Sequence, residues 1–307
     1  MNDPILCLAG PTASGKTEIG ILLGERMNGE ILSADARQVY RRLDIGTAKP
    51  GAEERARVPH HLIDLVEPDE PFHAGRFARE AERALAEVRA RGRLPIVVGG
   101  TGLYLRALVR GLDVRVGRHP EIRRELRARI EREGSRALHA DLARVDPESA
   151  TAIHPNDEVR IVRALEVFLA SGETRTEQHL CGGGTRRAHR IAGLDPPRPL
   201  LFRRIDERFD RMIAAGLVEE VRSLLAEGLD PELPCFCSPG YREIITHLSG
   251  TMSLEEAIAR AKRETRRFAK RQMTWFRSEN VRWFDPAAER AEETAARIAL
   301  WFESGEG

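Results

Sequence analysis

The segment that most constrains the fold matches the phosphate-loop pattern G-x-x-x-x-G-K-[ST]. The apolar run ILCLA precedes it, and an amphipathic stretch follows as far as Met27. This order predicts a strand, a turn and a helix, with backbone N–H groups of the turn pointing at an anion. A lysine adds positive charge, and a threonine hydroxyl can bind Mg²⁺ at the helix N-terminus. We predict a diphosphate site with Mg²⁺ as cofactor, the metal held at Thr17, formed by Gly10, Pro11, Thr12, Ala13, Ser14, Gly15, Lys16 and Thr17.

An acid that usually supports Mg²⁺ in nucleoside triphosphatases is missing where it would be expected. The most strand-like later segment, LPIVV at 94–98, runs into Gly99-Gly100-Thr101-Gly102 with no acid. Asp64 in HLIDLV is an alternative, although one acid in a short apolar run is a weak signal. The sequence also lacks an Asn-Lys-x-Asp motif for guanine and a kinase catalytic loop. The loop is therefore expected to hold a diphosphate that is not part of ATP.

The order of predicted elements indicates the fold class. Strand-like segments at 5–9, 30–34, 61–66, 94–98 and 200–205 alternate with helical ones. This predicts an α/β protein with a P-loop NTPase-like parallel sheet flanked by helices. Residues 113–198 instead contain charged, helix-periodic sequence and end in a glycine-rich and then a proline-rich stretch. We predict an all-helical insertion at 113–198 between two parts of the core, 1–112 and 199–307.

Two polar residues follow predicted strands that end near the phosphate loop. Asp35 comes after the second strand, at the sheet edge where a carboxylate can reach a bound reactant. We interpret it as a candidate base, with a turn or helix-capping acid as the equal alternative. Thr101 offers a hydroxyl at another helix start, where a structural N-cap is again the equal alternative.

A net charge of +1 says nothing about a nucleic-acid partner, so the distribution of charge has to be considered. Nine basic residues and two acidic ones lie between Arg260 and Arg282. On a helix, the apolar positions 254, 258, 261, 268 and 275 share one face. The opposite face carries Arg260, Arg263, Arg267, Lys270 and Arg277. This separation of an apolar face from a basic face favours polyanion binding over a merely solvated surface.

The same sequence bears on location and assembly. The first residues, MNDPILCLAG, lack a basic start followed by a long apolar stretch, and no later run approaches membrane-spanning length. We therefore predict a cytoplasmic protein with no membrane partner. No long hydrophobic face is left unexplained, so a monomer is expected.

Five ordered motifs together resemble one known family. They are GPTASGKT, SADARQVYRRLDIGTAKP at 33–50, VVGGTGLYLRAL at 97–108, IHPNDEVRIVRALEV at 153–167 and AKRQMTWFR at 269–277. This combination is similar to bacterial tRNA dimethylallyltransferases, and the resemblance runs nearly end to end. It implies that the phosphate loop binds dimethylallyl diphosphate. It also implies transfer of the dimethylallyl group to the exocyclic N6 amine of the adenosine 3′ of the tRNA anticodon, with release of diphosphate.

The resemblance also implies roles for individual residues. Asp35 would orient the adenine amine or accept its proton, Thr101 would position the target nucleotide, and Arg208 would contact the diphosphate, with Arg211 as the near alternative. The helical insertion and the core would hold the anticodon stem-loop of tRNA from two sides. The residues expected near the RNA are Asp35, Gln38, Thr101, Arg123, Arg160 and Arg163.

Two positions depart from the family pattern. Ala36 stands where a serine is usual, and Pro239 stands where an aliphatic residue is usual.

Three alternative functions remain. The first alternative is prenylation of free AMP, ADP or ATP, against which the helical insertion and the basic C-terminal helix argue. A small-molecule kinase is the second. The third is an RNA-binding module that keeps only a vestigial nucleotide loop.

Overall fold

A computed structural model of the chain describes residues 4–111, 117, 119–177 and 187–305. The chain divides into two compact units. The first contains Met1–Val109 and Arg187–Gly307, and the second contains Arg110–Arg186. Within the described ranges, no helix combines the length and the apolar character needed to cross a lipid bilayer.

The first unit is built on one six-stranded sheet in which every neighbouring pair is parallel. The strand order is β3-β2-β4-β1-β5-β6. Every residue of β1 and β2 is buried, as expected for central strands of a parallel sheet covered on both faces. The strands are β1 (Ile5–Ala9), β2 (Gly29–Ser33), β3 (His60–His61), β4 (Leu94–Gly99), β5 (His189–Leu194) and β6 (Val281–Phe284).

Helices of the first unit pack on this sheet and form a second apolar core with each other. Helices α1 and α13 pack together and bury Leu6, Leu8 and Ile96 of the central strands. A second apolar cluster joins α9 to α12 with the loop that follows β2. The helices are α1 (Lys16–Arg26), α2 (Ala52–Arg57), α3 (Ala74–Ala90), α4 (Gly102–Arg110), α9 (Arg198–Ala214), α10 (Leu217–Ala226), α11 (Tyr241–Leu248), α12 (Leu254–Phe276) and α13 (Ala291–Ser304).

All the regular secondary structure that is described in the second unit is helical, and this unit has its own apolar core. That core is built around Leu126, Leu138, Leu142, Ile161 and Leu165, all of them buried. Periodic apolar positions on charged helices thus bury one stripe and leave the other side in water. The helices are α5 (Pro120–Glu133), α6 (Ser135–Val145), α7 (Pro147–Ala152) and α8 (Glu158–Ser171).

The predicted fold class is confirmed, but one predicted strand is wrong. Residues 200–205 lie inside α9, where Leu201, Ile205 and Phe209 recur every four residues and are buried on one helical face. The strand that completes this part of the sheet is β5, which pairs with β1 and β6. Because β5 falls within 113–198, the predicted insertion extends too far at its C-terminal end. The glycine run at 182–184 lies outside the described residues.

The predicted strand at 61–66 is much shorter than expected. Only His60–His61 pair with β2, and Val66 forms an isolated bridge with Tyr40. Leu62 and Asp64 have positive φ angles of 65° and 56°, which an extended strand cannot contain. The intervening residues therefore form an irregular segment beside the loop that follows β2.

Candidate active site

The phosphate loop joins β1 to α1 at the carboxyl edge of the sheet. Gly15 precedes the helix with φ of 94°, a conformation that side chains disfavour, and Ala13 has φ of 63°. The Ser14 N–H donates to the Pro11 carbonyl at 3.3 Å, which closes the turn, and the Ser14 side chain is fully buried. The predicted strand, turn and helix are therefore present in the predicted order.

Several backbone N–H groups of this loop have no partner in the part of the chain that the structure describes. The N–H groups of Ala13, Gly15, Lys16 and Thr17 make no hydrogen bond to any residue that the structure describes. Three of them belong to the helix N-terminus or the residue before it, where orphan donors and the helix dipole both favour an anion. The loop therefore offers a set of donors suited to phosphate oxygens.

Lys16 lies over this loop and is held in a folded-back position. Its Nζ donates to the Pro11 carbonyl at 2.5 Å and lies 3.5 Å from the Ser14 hydroxyl. Burial and the positive charge of Arg208 lower the pKa of Lys16 to about 7, against an opposing effect of Asp35. Lys16, Arg208 and Asp35 thus lie close enough for their charges to act on one another, and a bound anion would restore the full charge of the lysine.

Asp35 performs the turn role that the sequence left open as its alternative. Its Oδ1 accepts the N–H groups of Arg37 at 2.8 Å and Gln38 at 3.4 Å. Its second oxygen, Oδ2, accepts no hydrogen bond from the described residues. One carboxylate oxygen therefore fixes the loop, and the other remains available for a substrate proton.

Thr101 connects the turn after β4 to the loop that carries Asp35. Its N–H donates to the Ala34 carbonyl at 3.2 Å, and its hydroxyl oxygen accepts the Ala36 N–H at 3.1 Å. Its carbonyl accepts the N–H groups of Tyr104 and Leu105, which begin helix α4. The hydroxyl thus joins Thr101 to Ala36, the residue after Asp35, instead of capping its own helix.

Gln38 and Arg208 meet at one main-chain carbonyl. Gln38 Nε2 donates to the Thr47 carbonyl at 3.5 Å and the Ala48 carbonyl at 3.3 Å, and its Oε1 accepts the Ser33 hydroxyl at 2.9 Å. Arg208 Nη2, from α9, donates to the same Thr47 carbonyl at 3.4 Å. Burial lowers the pKa of Arg208, and the charge of Asp35 opposes this. The half-buried Arg208 therefore faces the site, whereas Arg211 is exposed.

Two residues that hold loops of the site, Glu220 and Gln272, are not among the residues predicted from the sequence. Glu220 accepts the backbone N–H groups of residues 44, 45 and 46 and the hydroxyl of Tyr241, the last at 2.6 Å. Nothing in the local sequence distinguishes Glu220 from any exposed helical glutamate. Gln272 is different, because it is a polar residue on the buried face of α12 and this break in the apolar pattern is visible in the sequence.

Helix α12 presents the basic face that the sequence predicts. All five residues of that face are exposed, and Ala261 on the opposite face is buried while Leu254, Ile258, Phe268 and Trp275 are half-buried. Lys262 and Arg266 instead pair with Asp210 and Asp206 of α9. Within the described residues, no ion pair forms at Arg260, Arg263 or Lys270.

The helical unit uses two of its predicted RNA-contacting arginines internally. Glu166 is fully buried and accepts hydrogen bonds from Arg123, Arg163 and the His119 N–H. Burial alone would raise the pKa of Glu166, but these hydrogen bonds outweigh it and lower the pKa to about 2. Arg160 is exposed and pairs with Asp157 at 3.4 Å. An RNA role for all three arginines stays a prediction.

The donor set for a metal is small. No group of three or more His, Cys, Asp or Glu side chains that could hold a metal occurs among the described residues. The Thr17 hydroxyl makes no hydrogen bond within the same part of the chain. That arrangement fits a cation such as Mg²⁺, which retains waters and takes much of its coordination from substrate phosphates.

The parallel sheet, the phosphate loop and the adjacent Lys16, Asp35 and Arg208 define an α/β protein with a site suited to the phosphates of a small substrate. The chain belongs to the IPP transferase family, whose model matches residues 38–279.

Relatives with known names are similar over most of the chain. A tRNA dimethylallyltransferase of Geobacter metallireducens is 51% identical over 279 residues, covering 90% of each chain. One of Anaeromyxobacter dehalogenans is also 51% identical, covering 92% of this chain and 95% of the relative. The crystal structure of a full-length tRNA isopentenylpyrophosphate transferase from Bacillus halodurans matches with a TM-score of 0.73, 40% identity and coverage of 98% and 97%.

A more distant structure has the higher TM-score. It is a eukaryotic dimethylallyltransferase described as acting on tRNA, with a TM-score of 0.82 and 28% identity. The match covers 97% of this chain and 78% of the eukaryotic one.

Proposed function

We propose that this protein is a tRNA dimethylallyltransferase, which transfers a dimethylallyl group from dimethylallyl diphosphate to the N6 amine of the adenosine 3′ of the anticodon. The observation that carries the proposal is the placement of Asp35 beside the phosphate loop, together with the lack of an acid on β4 that could support hydrolysis. Such a site can stabilise a departing diphosphate next to a proton acceptor. The names of the relatives, which are tRNA dimethylallyltransferases, agree with this chemistry.

The reaction exchanges one bond for another. The C1–O bond of dimethylallyl diphosphate breaks and the C1–N6 bond forms, while one proton leaves the amine. The free N–H groups of the loop and protonated Lys16 would receive the charge that develops on the diphosphate. Arg208 would add a second cation on the side of the loop after β2. Mg²⁺ held at the Thr17 hydroxyl would supply further neutralisation of the leaving group.

Asp35 would accept the amine proton through Oδ2 while Oδ1 holds the turn. The amine must reach this carboxylate, so the adenine has to leave the base stack of the anticodon loop. Thr101, whose hydroxyl already accepts the Ala36 N–H, can still donate its own proton to the nucleotide. This assigns orientation to Thr101 and proton transfer to Asp35.

The RNA would be bound chiefly through charge. The exposed basic face of α12 is suited to backbone phosphates, and phosphate contacts provide affinity without base specificity. We propose that the anticodon stem-loop contacts this face. Arg123, Arg160 and Arg163 of the helical unit are proposed to contact the same RNA.

The test is transfer from radiolabelled dimethylallyl diphosphate with Mg²⁺, with unmodified tRNA and AMP offered separately. We expect label in tRNA alone. Label in AMP would favour cytokinin synthesis, and phosphate transfer from ATP would favour a kinase. Binding of tRNA without any transfer would leave an RNA-binding module.

Asp35→Asn is the matched variant, because its side-chain oxygen can still accept the Arg37 and Gln38 N–H groups. It should lower the rate about 10²- to 10⁴-fold, the contribution typical of a general base, while tRNA binding is kept. Asp35→Ala removes the turn contacts as well. If Asp35→Asn were fully active, Asp35 would have only the turn role.

A further inference from the structure

Gln272 is a buried polar side chain in the apolar face of α12. It is 8% exposed and lies beside the buried residues Ala269, Met273 and Phe276. A buried amide costs free energy unless both its ends are hydrogen-bonded. Its partners therefore explain why an amide occupies this position.

The two ends of the amide contact two different loops. Oε1 accepts the N–H of Thr12 at 2.9 Å, and Nε2 donates to the carbonyl of Gly100 at 3.0 Å. Thr12 lies in the phosphate loop after β1, and Gly100 lies in the turn after β4, the neighbouring parallel strand. One side chain thus fixes the separation of two loops at the same edge of the sheet.

Close packing also fixes the distance between the phosphate loop and the turn after β4. A Cβ atom at Gly100 would lie 2.3 Å from Gln272 Nε2, and one at Gly102 would lie 2.2 Å from the ring of Trp275. The same face of α12 therefore packs against Gly100 and Gly102, the residues on either side of Thr101. Arg106 also packs on the Trp275 ring, with its guanidinium 4.8 Å from the ring centroid.

A continuous set of contacts follows from this packing. It runs from the phosphate loop through Gln272 to Gly100, and from Thr101 to Ala36, the residue next to Asp35. The first end of this set binds the leaving group in the proposed function, and the second end holds the acceptor base. A change in the length of the Gln272 bridge would therefore alter the distance between the two reactants.

We propose that Gln272 is a positioning residue that holds the diphosphate loop and the Asp35–Thr101 side of the site in register for transfer. The inference rests on the proposed function, because it concerns the geometry of that reaction. Gln272 does not occupy the anion donors themselves, since its amide makes no hydrogen bond to Ala13, Gly15, Lys16 or Thr17 among the described residues. Its loss should therefore reduce the rate of transfer far more than the affinity for diphosphate.

Two variants separate this role from simple loss of packing. Gln272→Met retains the length and volume of the side chain but makes neither hydrogen bond. Gln272→Asn retains both polar groups on a side chain one methylene shorter, which cannot reach both loops. Thr274→Ala is the control, because Thr274 is exposed and its hydroxyl donates to the Lys270 carbonyl of its own helix at 3.0 Å.

The measurements are single-turnover transfer to tRNA at saturating dimethylallyl diphosphate and the Kd of inorganic diphosphate. We expect both Gln272 variants to lose about 10- to 100-fold in rate, as misplacement of reactants by up to 1 Å can cost. The Kd should change by less than about threefold, and Thr274→Ala should match the wild type. The urea midpoint of each variant identifies any that does not fold.

The result that would overturn the inference is a folded variant of Gln272 with the wild-type rate. An equal loss of rate and diphosphate affinity would also overturn it, because the side chain would then only support the loop. Failure of the proposed function looks different, since the wild-type protein itself would transfer no label to tRNA.

Discussion

Arg208 donates a hydrogen bond to the main-chain carbonyl of Thr47, which connects a helix that follows the second unit in the chain to the loop that carries Asp35. Gln38 donates to the same carbonyl from within that loop. The Arg208 guanidinium is therefore bound to the same loop that carries the Asp35 carboxylate. Changes in this loop should affect the binding of the leaving group and the acceptor together.

Substitution of Arg208 tests its contact with the diphosphate. Arg208→Ala should lower kcat/KM for dimethylallyl diphosphate about 10²- to 10³-fold, as is typical when one donor to a developing anion is removed. Arg211→Ala is the matched control, because Arg211 is exposed and its Nε donates to the Glu207 carbonyl of its own helix. Steady-state kinetics with tRNA held at saturation checks this. Equal losses in the two variants would contradict the assignment.

The lowered pKa of Lys16 predicts a pH dependence of diphosphate binding. Around pH 7 the free protein loses the Lys16 proton, whereas the bound diphosphate anion raises the pKa of Lys16 again. Affinity should therefore be highest below pH 7 and fall above it, approaching about tenfold per pH unit for one proton. Calorimetric titration with inorganic diphosphate between pH 6 and 9 measures the slope.

Lys16→Arg provides the control for that titration, since a guanidinium keeps its proton throughout this range. The ionisation of diphosphate itself affects both proteins equally. The difference between the two slopes therefore reports Lys16 alone. Parallel curves for the two proteins would mean that Lys16 does not titrate near pH 7.

Glu220 should contribute to stability through the loop at 44–46. Glu220→Gln places an amide nitrogen where one carboxylate oxygen accepts hydrogen bonds, so at least one backbone donor loses its partner. We expect the free energy of unfolding to fall by about 1–3 kcal/mol. Urea unfolding measures this, with the exposed Glu219→Gln as control, which should change it by less than about 0.5 kcal/mol. A stable Glu220→Gln protein would remove the loop-clamping role.

The basic face of α12 should determine the salt dependence of tRNA binding. Replacing Arg263 and Lys270 with glutamine should reduce the slope of log K against log salt by about 1.4–1.8, the value for two lost phosphate contacts. Affinity should fall for every tRNA, with little change in preference among them. Filter binding at several salt concentrations gives the slope.

The control for that experiment replaces Arg79 and Arg83, two exposed arginines of α3, with glutamine. It changes the net charge by the same amount in a different place. If both double variants lose the same slope, the effect comes from overall charge, and α12 has no special role.

The sequence by itself determined the phosphate loop, the α/β class and the basic face of α12. Each depends on local spacing: a glycine-containing turn between an apolar run and a helix, alternating elements, and a 3.6-residue period. The pattern also placed Asp35 and Thr101 after two predicted strands, and the sheet order shows that these strands, β2 and β4, are neighbours. It failed at 200–205, where a short apolar run reads equally well as strand or helix.

Only the tertiary structure decided which distant residues complete the site. Arg208 is one of several arginines on α9, and it faces the site because Leu201, Ile205 and Phe209 are buried on their own face of that helix. Glu220 and Gln272 bind loops that lie 172 or more residues away in the chain. Local sequence cannot encode such pairings, because their energy comes from burying a polar group beside a partner that only folding brings close.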